Sequence, residues 1–230
     1  YERDKRAASH TEHWTGRLFS DETDDIHGTL DDPDKLPVFT MARFDKIKNI
    51  TGLIEAFGAD DTLREHCNLI FAGGTINLEA SNGREEREQI QTAYQLIEEY
   101  ELDGSIRWLP SINKADTGEV YRIIADRRGV FVQPALFEAF GLTILEAGAS
   151  GLPVIASDWN GYRDLVVSGV EDGTGILVRT VSRGTHPAAQ DDAMGSLLPG
   201  DVHHLRLAQT TAVDVAALAQ AIGMLAADTS

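Results

Sequence analysis

The chain has 230 residues and carries 37 acidic against 20 basic side chains, which gives a formal net charge of −17. This length allows one large or two small domains with a sizeable core, and 42% hydrophobic with 25% charged residues is an ordinary globular composition. The negative charge argues against a nucleic-acid-binding surface or attachment to an anionic membrane. A single cysteine, Cys67, excludes an internal disulfide and a cysteine-based zinc cluster, and no apolar run approaches the ~20 residues of a membrane span.

The beginning of the chain has neither an initiator Met nor the apolar stretch of a secretion signal. We therefore expect a piece of a longer polypeptide with a cytoplasmic location. Residues 1–36 are polar and acidic and show no clear periodicity. They are predicted to form an acidic lead-in segment or linker.

From residue 37 onward, short apolar runs alternate with helical patterns. The runs are typical of strands buried on both faces of a parallel sheet, and they lie at residues 38–42, 68–72, 106–109, 130–132, 153–156 and 175–178. Helical patterns fill the gaps at residues 51–57, 84–100, 118–126, 141–149 and 162–166. This alternation predicts a doubly wound, Rossmann-like α/β domain over residues 37–180, whose ligands bind outside the carboxyl ends of the strands.

Beyond the predicted sheet, residues 181–212 show little periodicity and are predicted to form a long loop. Residues 213–230 are rich in Ala and Leu and are predicted to form a C-terminal helix. The histidines of the loop lack metal-ligand spacing with acidic partners. No glycine-rich dinucleotide or nucleotide-hydrolase motif is present, so the sequence gives no support for a nicotinamide cofactor.

A basic segment follows the first predicted strand. Arg43, Lys46 and Lys48 lie within six positions, at the carboxyl end of a strand in a very acidic chain. Arg offers a planar bidentate donor and Lys a mobile point charge, a combination that suits a diphosphate. The alternative is a solvated loop whose charges balance neighbouring aspartates, and for this segment alone that alternative is the better interpretation.

A second candidate segment runs from Gln133 through a loop into the helix that is predicted to begin near Gly141. Glu138 lies in the loop and Glu146 in the second turn of the helix, so the two carboxylates can hold different parts of one extended ligand. Carboxylates accept paired sugar hydroxyls, and the free N–H groups of a helix start favour a phosphate between them. Gly141 permits close approach of backbone to the ligand.

The alternative for this second segment is a surface glutamate followed by an ordinary helical one. Phe140, Leu142 and Leu145 are expected to belong to the core. Either glutamate alone fits that alternative, whereas the pair joined by this loop fits it less well.

Together the two segments resemble the nucleotide-sugar half of retaining glycosyltransferases with the GT-B fold. More narrowly, residues 40–155 resemble the sucrose synthase family, and the similar phrases lie at residues 40–49, 96–100, 118–122 and 129–135. After Ala156, sucrose synthases present a Gly-Gly-Pro turn, whereas this chain has Ser-Asp-Trp-Asn-Gly-Tyr-Arg-Asp at residues 157–164. Residues 157–230 are closer to other bacterial glycosyltransferases of the superfamily.

The resemblance implies a role for each matching residue. Arg43 and Lys48 would bind the donor diphosphate and stabilise the departing nucleotide. Glu138 would hold hydroxyls of the transferred sugar, Glu146 would hold the ribose, and Gln133 would contact the nucleobase side of the pocket. The remaining donor contacts would come from backbone groups that line the sugar and phosphates, those of Phe140, Gly141, Leu142 and Thr143.

The chemistry that the resemblance implies is reversible glucosyl transfer between a nucleoside diphosphate and fructose, with retention of the anomeric configuration. The donor would be a nucleotide sugar such as UDP-glucose or ADP-glucose. No metal would be obligatory, because positive side chains neutralise the charge on the leaving phosphate. The acceptor-binding domain and its catalytic histidine would lie ahead of residue 1, so the isolated chain is expected to be inactive.

Two alternatives to a sucrose synthase stay open from the sequence. One is a bacterial glycosyltransferase of polysaccharide or glycolipid synthesis, favoured by the departure after Ala156. The other is a catalytically silent nucleotide-sugar-binding module. The silent module is disfavoured by the retention of four residues that nothing structural requires together, namely Arg43, Lys48, Glu138 and Glu146.

Overall fold

A parallel sheet of six strands organises the chain, in the order β3-β2-β1-β4-β5-β6. The computed structural model describes residues 6–81, 83–158, 160–167, 174–182 and 211–228. The strands are β1 (Leu36–Met41), β2 (Cys67–Ala72), β3 (Ile106–Leu109), β4 (Val130–Gln133), β5 (Val154–Ser157) and β6 (Gly175–Val178). All six predicted strands are present, and the predicted Rossmann-like fold class is confirmed.

Helices cover both faces of the sheet. They are α1 (Ala8–Phe19), α2 (Ile50–Gly58), α3 (Asp61–His66), α4 (Arg84–Glu99), α5 (Lys114–Asp126), α6 (Leu142–Ala149), α7 (Asn160–Arg163) and α8 (Val215–Asp228). Since successive strand residues point to opposite faces, Val38 and Leu69 pack with α2, α3, α4 and α8, whereas Phe39 and Ile70 pack with α1, α5, α6 and α7. Two apolar layers therefore enclose the sheet, as a doubly wound fold requires.

The strand order places a topological switch point between β1 and β4. The chain runs outward from β1 through β2 to β3 and then returns to the other side of β1, where Phe39 pairs with Phe131 in a parallel register. Crossovers that leave in opposite directions open a crevice at the carboxyl ends of these two strands. The segments after β1 and β4 are the two that the sequence singled out.

Residues 1–36 contain a helix that the sequence prediction missed. Helix α1 packs against α5 and buries Trp14, Leu18 and Phe19. The prediction of a lead-in segment without periodic structure is therefore wrong for residues 8–19. These three side chains form one narrow stripe among polar residues, too short to give a clear period. The predicted domain boundary at residue 37 stays a prediction.

A buried arginine joins this amino-terminal segment to the sheet. The side chain of Arg107 in β3 is 2% exposed, and its guanidinium donates to the backbone carbonyls of Arg17, at 2.7 Å, Gly28, at 3.3 Å, and Asp21. A buried cation is tolerated when its donors are satisfied in this way. The segment before β1 is therefore held as part of the folded unit.

After β6, the structure describes two short strands and one helix. Strands β7 (Thr180–Ser182) and β8 (Thr211–Val213) form an antiparallel pair, and residues 183–210 of the predicted long loop lie outside the described residues. The predicted C-terminal helix is present as α8, whose Leu218 and Ile222 are buried against α2 and α3. Within the described ranges, every helix is too short or too polar to span a bilayer.

Candidate functional site

The segments after β1 and β4 contact each other at the carboxyl edge of the sheet. The Asn49 side-chain amide donates to the Pro134 carbonyl at 3.0 Å, and the Leu136 N–H donates to the Ile47 carbonyl at 2.8 Å. These bonds join the two segments because β1 and β4 are neighbouring strands. The fold thus brings together the two candidate segments that are about 90 positions apart in the sequence.

Local capping shapes the basic segment after β1. The carboxylate of Asp45 accepts from the Lys48 N–H at 3.2 Å and starts a short 3-10 turn, Lys46–Lys48, which Asn49 ends in the left-handed region at φ 57°. Burial raises the pKa of Asp45, and the charges of Arg43 and Lys48 oppose that rise. The Arg43 guanidinium lies 3.1 Å from the Asp45 carboxylate, and the Arg43 side chain is 81% exposed. Arg43 is therefore free to turn toward a ligand at this edge.

Lys48 and Glu138 form an ion pair between the two segments. Lys48 Nζ donates to Glu138 Oε2 at 2.7 Å, and each side chain is 18% exposed. Glu138 Oε1 accepts from the N–H groups of Ala139, at 3.1 Å, and Phe140, at 3.4 Å. Burial raises the pKa of Glu138, but Lys48 and the two backbone N–H groups together hold that pKa below its ordinary value. Glu138 is therefore an ionised carboxylate with both oxygens engaged.

Helix α6 begins at the same edge, directly after the β4 segment. Gly141 precedes its first residue with φ 96°, in the left-handed region that favours glycine. Gln133 at the end of β4 is 1% exposed, and its Nε2 donates to Thr143 Oγ1 at 3.0 Å in the first turn of α6. Its Oε1 is buried without a partner among the described residues. A contact of Gln133 with a nucleobase stays a prediction.

Three apolar residues that the sequence assigned to the core are exposed. The exposed fractions are 55% for Phe140, 63% for Leu142 and 40% for Leu145. Helix α6 instead buries Ile144 and Ala147 against the sheet. The prediction was wrong because α6 is apolar on more than one side, so its composition does not identify the buried face. Phe140 and Leu142 form an apolar border of the candidate site.

The structure brings together some of the predicted site residues and not others. Lys48 contacts Glu138, and Gln133 contacts Thr143, whereas Arg43 points along the segment to Asp45. Glu146 lies on the exposed side of α6. Within the described parts of the chain, no cluster of three or more His, Cys, Asp or Glu side chains is arranged to hold a metal ion.

The sequence predicted a helical pattern at residues 162–166 but did not connect it with this site, which helix α7 supports. In α7, the ring of Tyr162 lies 2.8 Å from where a Cβ on Gly141 would be. A Cβ on Gly161 would likewise lie 2.8 Å from the backbone of Ala139 and Phe140. The only sequence signal for this contact was that residues 157–164 differ from the family resemblance. Nothing in their spacing relates them to the β4 segment.

This packing predicts that Gly141→Ala is destabilising. The new methyl group would meet the Tyr162 ring, and alanine is strained at φ 96°, so we expect a loss of about 1–3 kcal/mol in the free energy of unfolding. Gly148→Ala in the same helix is the matched control, because nothing lies within 4 Å of its Cβ position. Chemical denaturation measures both variants, and equal stabilities would contradict the packing described.

Comparison with known proteins identifies the family. The sequence profile described as Glycosyl transferases group 1 matches residues 21–189, and this chain belongs to that family. Curated relatives include the sucrose synthase of Thermosynechococcus vestitus, 55% identical over 146 residues, which are 63% of this chain and 18% of the relative. The sucrose synthase of Denitrovibrio acetiphilus is 49% identical over 170 residues, 74% of this chain and 22% of the relative. The chain thus spans about a fifth of the length of these relatives.

Solved structures agree with the fold. The sucrose-phosphate synthase of Thermosynechococcus elongatus aligns with a TM-score of 0.58 and 26% identity, over 85% of this chain and 37% of that one. The catalytic domain of starch synthase IV from Arabidopsis thaliana, bound to ADP and acarbose, aligns with a TM-score of 0.51 and 17% identity over 96% of this chain and 42% of that one, which supports the fold alone. The resemblance to GT-B glycosyltransferases is confirmed.

Proposed function

We propose that this chain is the donor-binding domain of a retaining glycosyltransferase, and that the full-length protein converts sucrose and a nucleoside diphosphate reversibly into NDP-glucose and fructose. The observation that carries the proposal is the convergence of the β1 and β4 segments at the switch point, where Lys48 contacts Glu138 at 2.7 Å. The similarity to sucrose synthases supports this choice of substrates.

In this proposal the donor diphosphate binds between the basic segment and the start of α6. Arg43 is exposed, and Lys48 carries its charge on a flexible four-carbon stem, so both can turn to phosphate oxygens. The unpaired N–H groups of a helix start attract an anion at the same place. Positive charge at the leaving diphosphate stabilises the negative charge that develops there. We therefore propose that turnover needs no added metal.

The transferred glucose is proposed to bind at Glu138 and the ribose at Glu146. Glu138 is ionised and holds two backbone N–H groups, so its orientation is fixed before the donor arrives. Glu146 is exposed on α6 and accessible to hydroxyl groups. In the structure Lys48 contacts one oxygen of Glu138. Donor binding therefore exchanges this ion pair for two ligand contacts, Lys48 to phosphate and Glu138 to sugar.

The assay of this proposal is sucrose cleavage by the full-length protein that contains this chain. With UDP or ADP present, we expect release of fructose and formation of the nucleotide glucose, with no loss of rate in EDTA. The isolated chain should bind nucleotide and cleave no sucrose, because transfer needs the acceptor held in near-attack geometry and water excluded. A cytoplasmic location of the full-length protein is part of the proposal.

Other outcomes of the assay would contradict the proposal in distinct ways. If sucrose is not cleaved and sugar is transferred to a polysaccharide or lipid acceptor, the protein is a glycosyltransferase of polysaccharide or glycolipid synthesis. Nucleotide binding without transfer to any acceptor would indicate a silent module. Loss of activity in EDTA that is restored by a divalent cation would overturn metal independence alone.

A further inference from the structure

Helix α7 places a fully buried tyrosine beneath the β4 segment. The side chain of Tyr162 is 0% exposed and belongs to the apolar layer that also contains Ile144. Its ring supports Gly141, and the neighbouring Gly161 packs on the backbone of Ala139 and Phe140. The Glu138 carboxylate accepts from the N–H groups of these same two residues. Tyr162 therefore lies under the part of the chain that orients Glu138.

The hydroxyl of Tyr162 is an unused hydrogen-bond donor. It is buried and has no hydrogen-bond partner among the described residues, which is a costly state for a polar group in a protein interior. Burial raises the pKa of the Tyr162 phenol, and so do the negative charge and the hydrogen-bonding capacity of the nearby Glu138 carboxylate. The hydroxyl is therefore protonated at neutral pH and lies in the field of the Glu138 carboxylate.

Glu138 loses its cationic partner once the nucleotide sugar binds, because the sugar hydroxyls that replace Lys48 are neutral donors. Among the described residues, the ion-pair partner of its Oε2 is Lys48, and in the proposed function Lys48 turns to the diphosphate. A partly buried carboxylate that loses its ion-pair partner is strongly destabilised unless another donor replaces it. Tyr162 is a titratable group that faces Glu138, and Arg163 in the same helix is paired with Asp158.

We propose that Tyr162 is a positioning residue that holds Glu138 when Lys48 turns to the donor diphosphate. Its hydroxyl donates to the carboxylate, which stays ionised and aimed at the transferred sugar. This inference deepens the proposed function and rests on it. The residue lies in the stretch 157–164, outside the resemblance described for residues 40–155.

The first test needs no ligand and is independent of the proposed function. Lys48→Met removes the ion pair, and a carbon-13 NMR titration of labelled glutamates, assigned with Glu138→Gln, then reports the pKa of Glu138. Adding Tyr162→Phe to Lys48→Met should raise this pKa further, by about 1, because a donor to the charged form is lost. An unchanged pKa would overturn the inference.

The matched control for this titration is Tyr100→Phe in the same Lys48→Met background. Tyr100 caps α4 and packs on Gly58 at the opposite end of the sheet, so its hydroxyl is remote from Glu138 and the pKa should not move. Thermal unfolding checks that each variant is folded. Tyr162→Phe should keep the melting temperature of the wild type or raise it, since the hydroxyl that it removes is buried and unpaired.

The second test separates a positioning role from a structural one. By calorimetry, Tyr162→Phe should weaken UDP-glucose or ADP-glucose binding about tenfold and weaken binding of the free nucleoside diphosphate less, because only the nucleotide sugar also needs Glu138 aimed at its hydroxyls. Equal losses for both ligands, or none, would overturn the inference. If the wild type binds neither ligand, the proposed function fails, and the ligand-free titration still decides whether Tyr162 holds Glu138.

Discussion

Replacing Lys48 by Met should weaken the binding of UDP or ADP by roughly 10- to 150-fold, which corresponds to about 1.5–3 kcal/mol for a charge-assisted hydrogen bond to a phosphate. The reason is that Lys48 is the cation held at the point where the β1 and β4 segments meet. Arg43→Ala should have an effect of the same kind. Its side chain is 81% exposed, and its guanidinium has only to leave Asp45.

Calorimetry on the purified chain measures these affinities, and Lys46→Met is the matched control. Lys46 lies in the same 3-10 turn and carries the same charge, but its backbone N–H is tied to Glu85 at 3.0 Å and it has no proposed donor contact. This variant therefore reports what the loss of one positive charge does by itself. Unchanged nucleotide affinity in both Arg43→Ala and Lys48→Met would show that the diphosphate does not bind at this segment.

Substitutions of Glu138 and Glu146 should have different effects on the binding of the sugar and of the nucleotide. Glu146→Gln should weaken the binding of the free nucleoside diphosphate and of the nucleotide sugar to the same extent, because both contain the ribose. Glu138→Gln should weaken the binding of the nucleotide sugar only. It should also slow turnover of the full-length protein by about 100-fold or more. Binding of the free diphosphate should stay equal or improve, since Lys48 no longer has to leave a carboxylate.

Parallel calorimetric titrations of both glutamate variants with the two ligands make this comparison. Each variant is isosteric with the wild type and changes one charge, so each serves as the control for the other. Equal losses of free diphosphate affinity in Glu138→Gln and Glu146→Gln would contradict the division between sugar and ribose. A loss of free diphosphate affinity in Glu138→Gln alone would indicate that the ion pair organises the phosphate site instead.

The sheet was predictable from the sequence because each strand is a short apolar run that buries both faces. Val38 and Phe39 in β1 point into opposite layers, and both are fully buried. Helix α1 was not predictable in this way. Its buried Trp14 and Leu18 stand among polar residues, and their partner surface is helix α5, about 100 positions later, which no local pattern can indicate.

The charged residues of the site were predictable, whereas their contacts and their support were not. Strand ends and residue types identified Lys48 and Glu138, and neighbouring strands brought them within 2.7 Å. The ion pair itself depends on the strand order, which places β4 beside β1. The exposure of Leu142 and the burial of Tyr162 depend on which side of α6 meets the sheet and on the path of α7. Neither feature is determined by the local sequence, because α6 is apolar on more than one side.

The most direct test of the proposed donor site is to locate a bound nucleoside diphosphate on the chain by NMR. UDP and ADP are titrated in turn into the nitrogen-15-labelled protein, and the backbone amide shifts are followed to saturation. We expect the largest shifts in residues 43–49 and 138–146, at the carboxyl ends of β1 and β4, and their loss in the Arg43→Ala/Lys48→Met double variant. Saturable shifts confined to another part of the chain, or no shifts with either nucleotide, would contradict the assignment of this edge as a donor site.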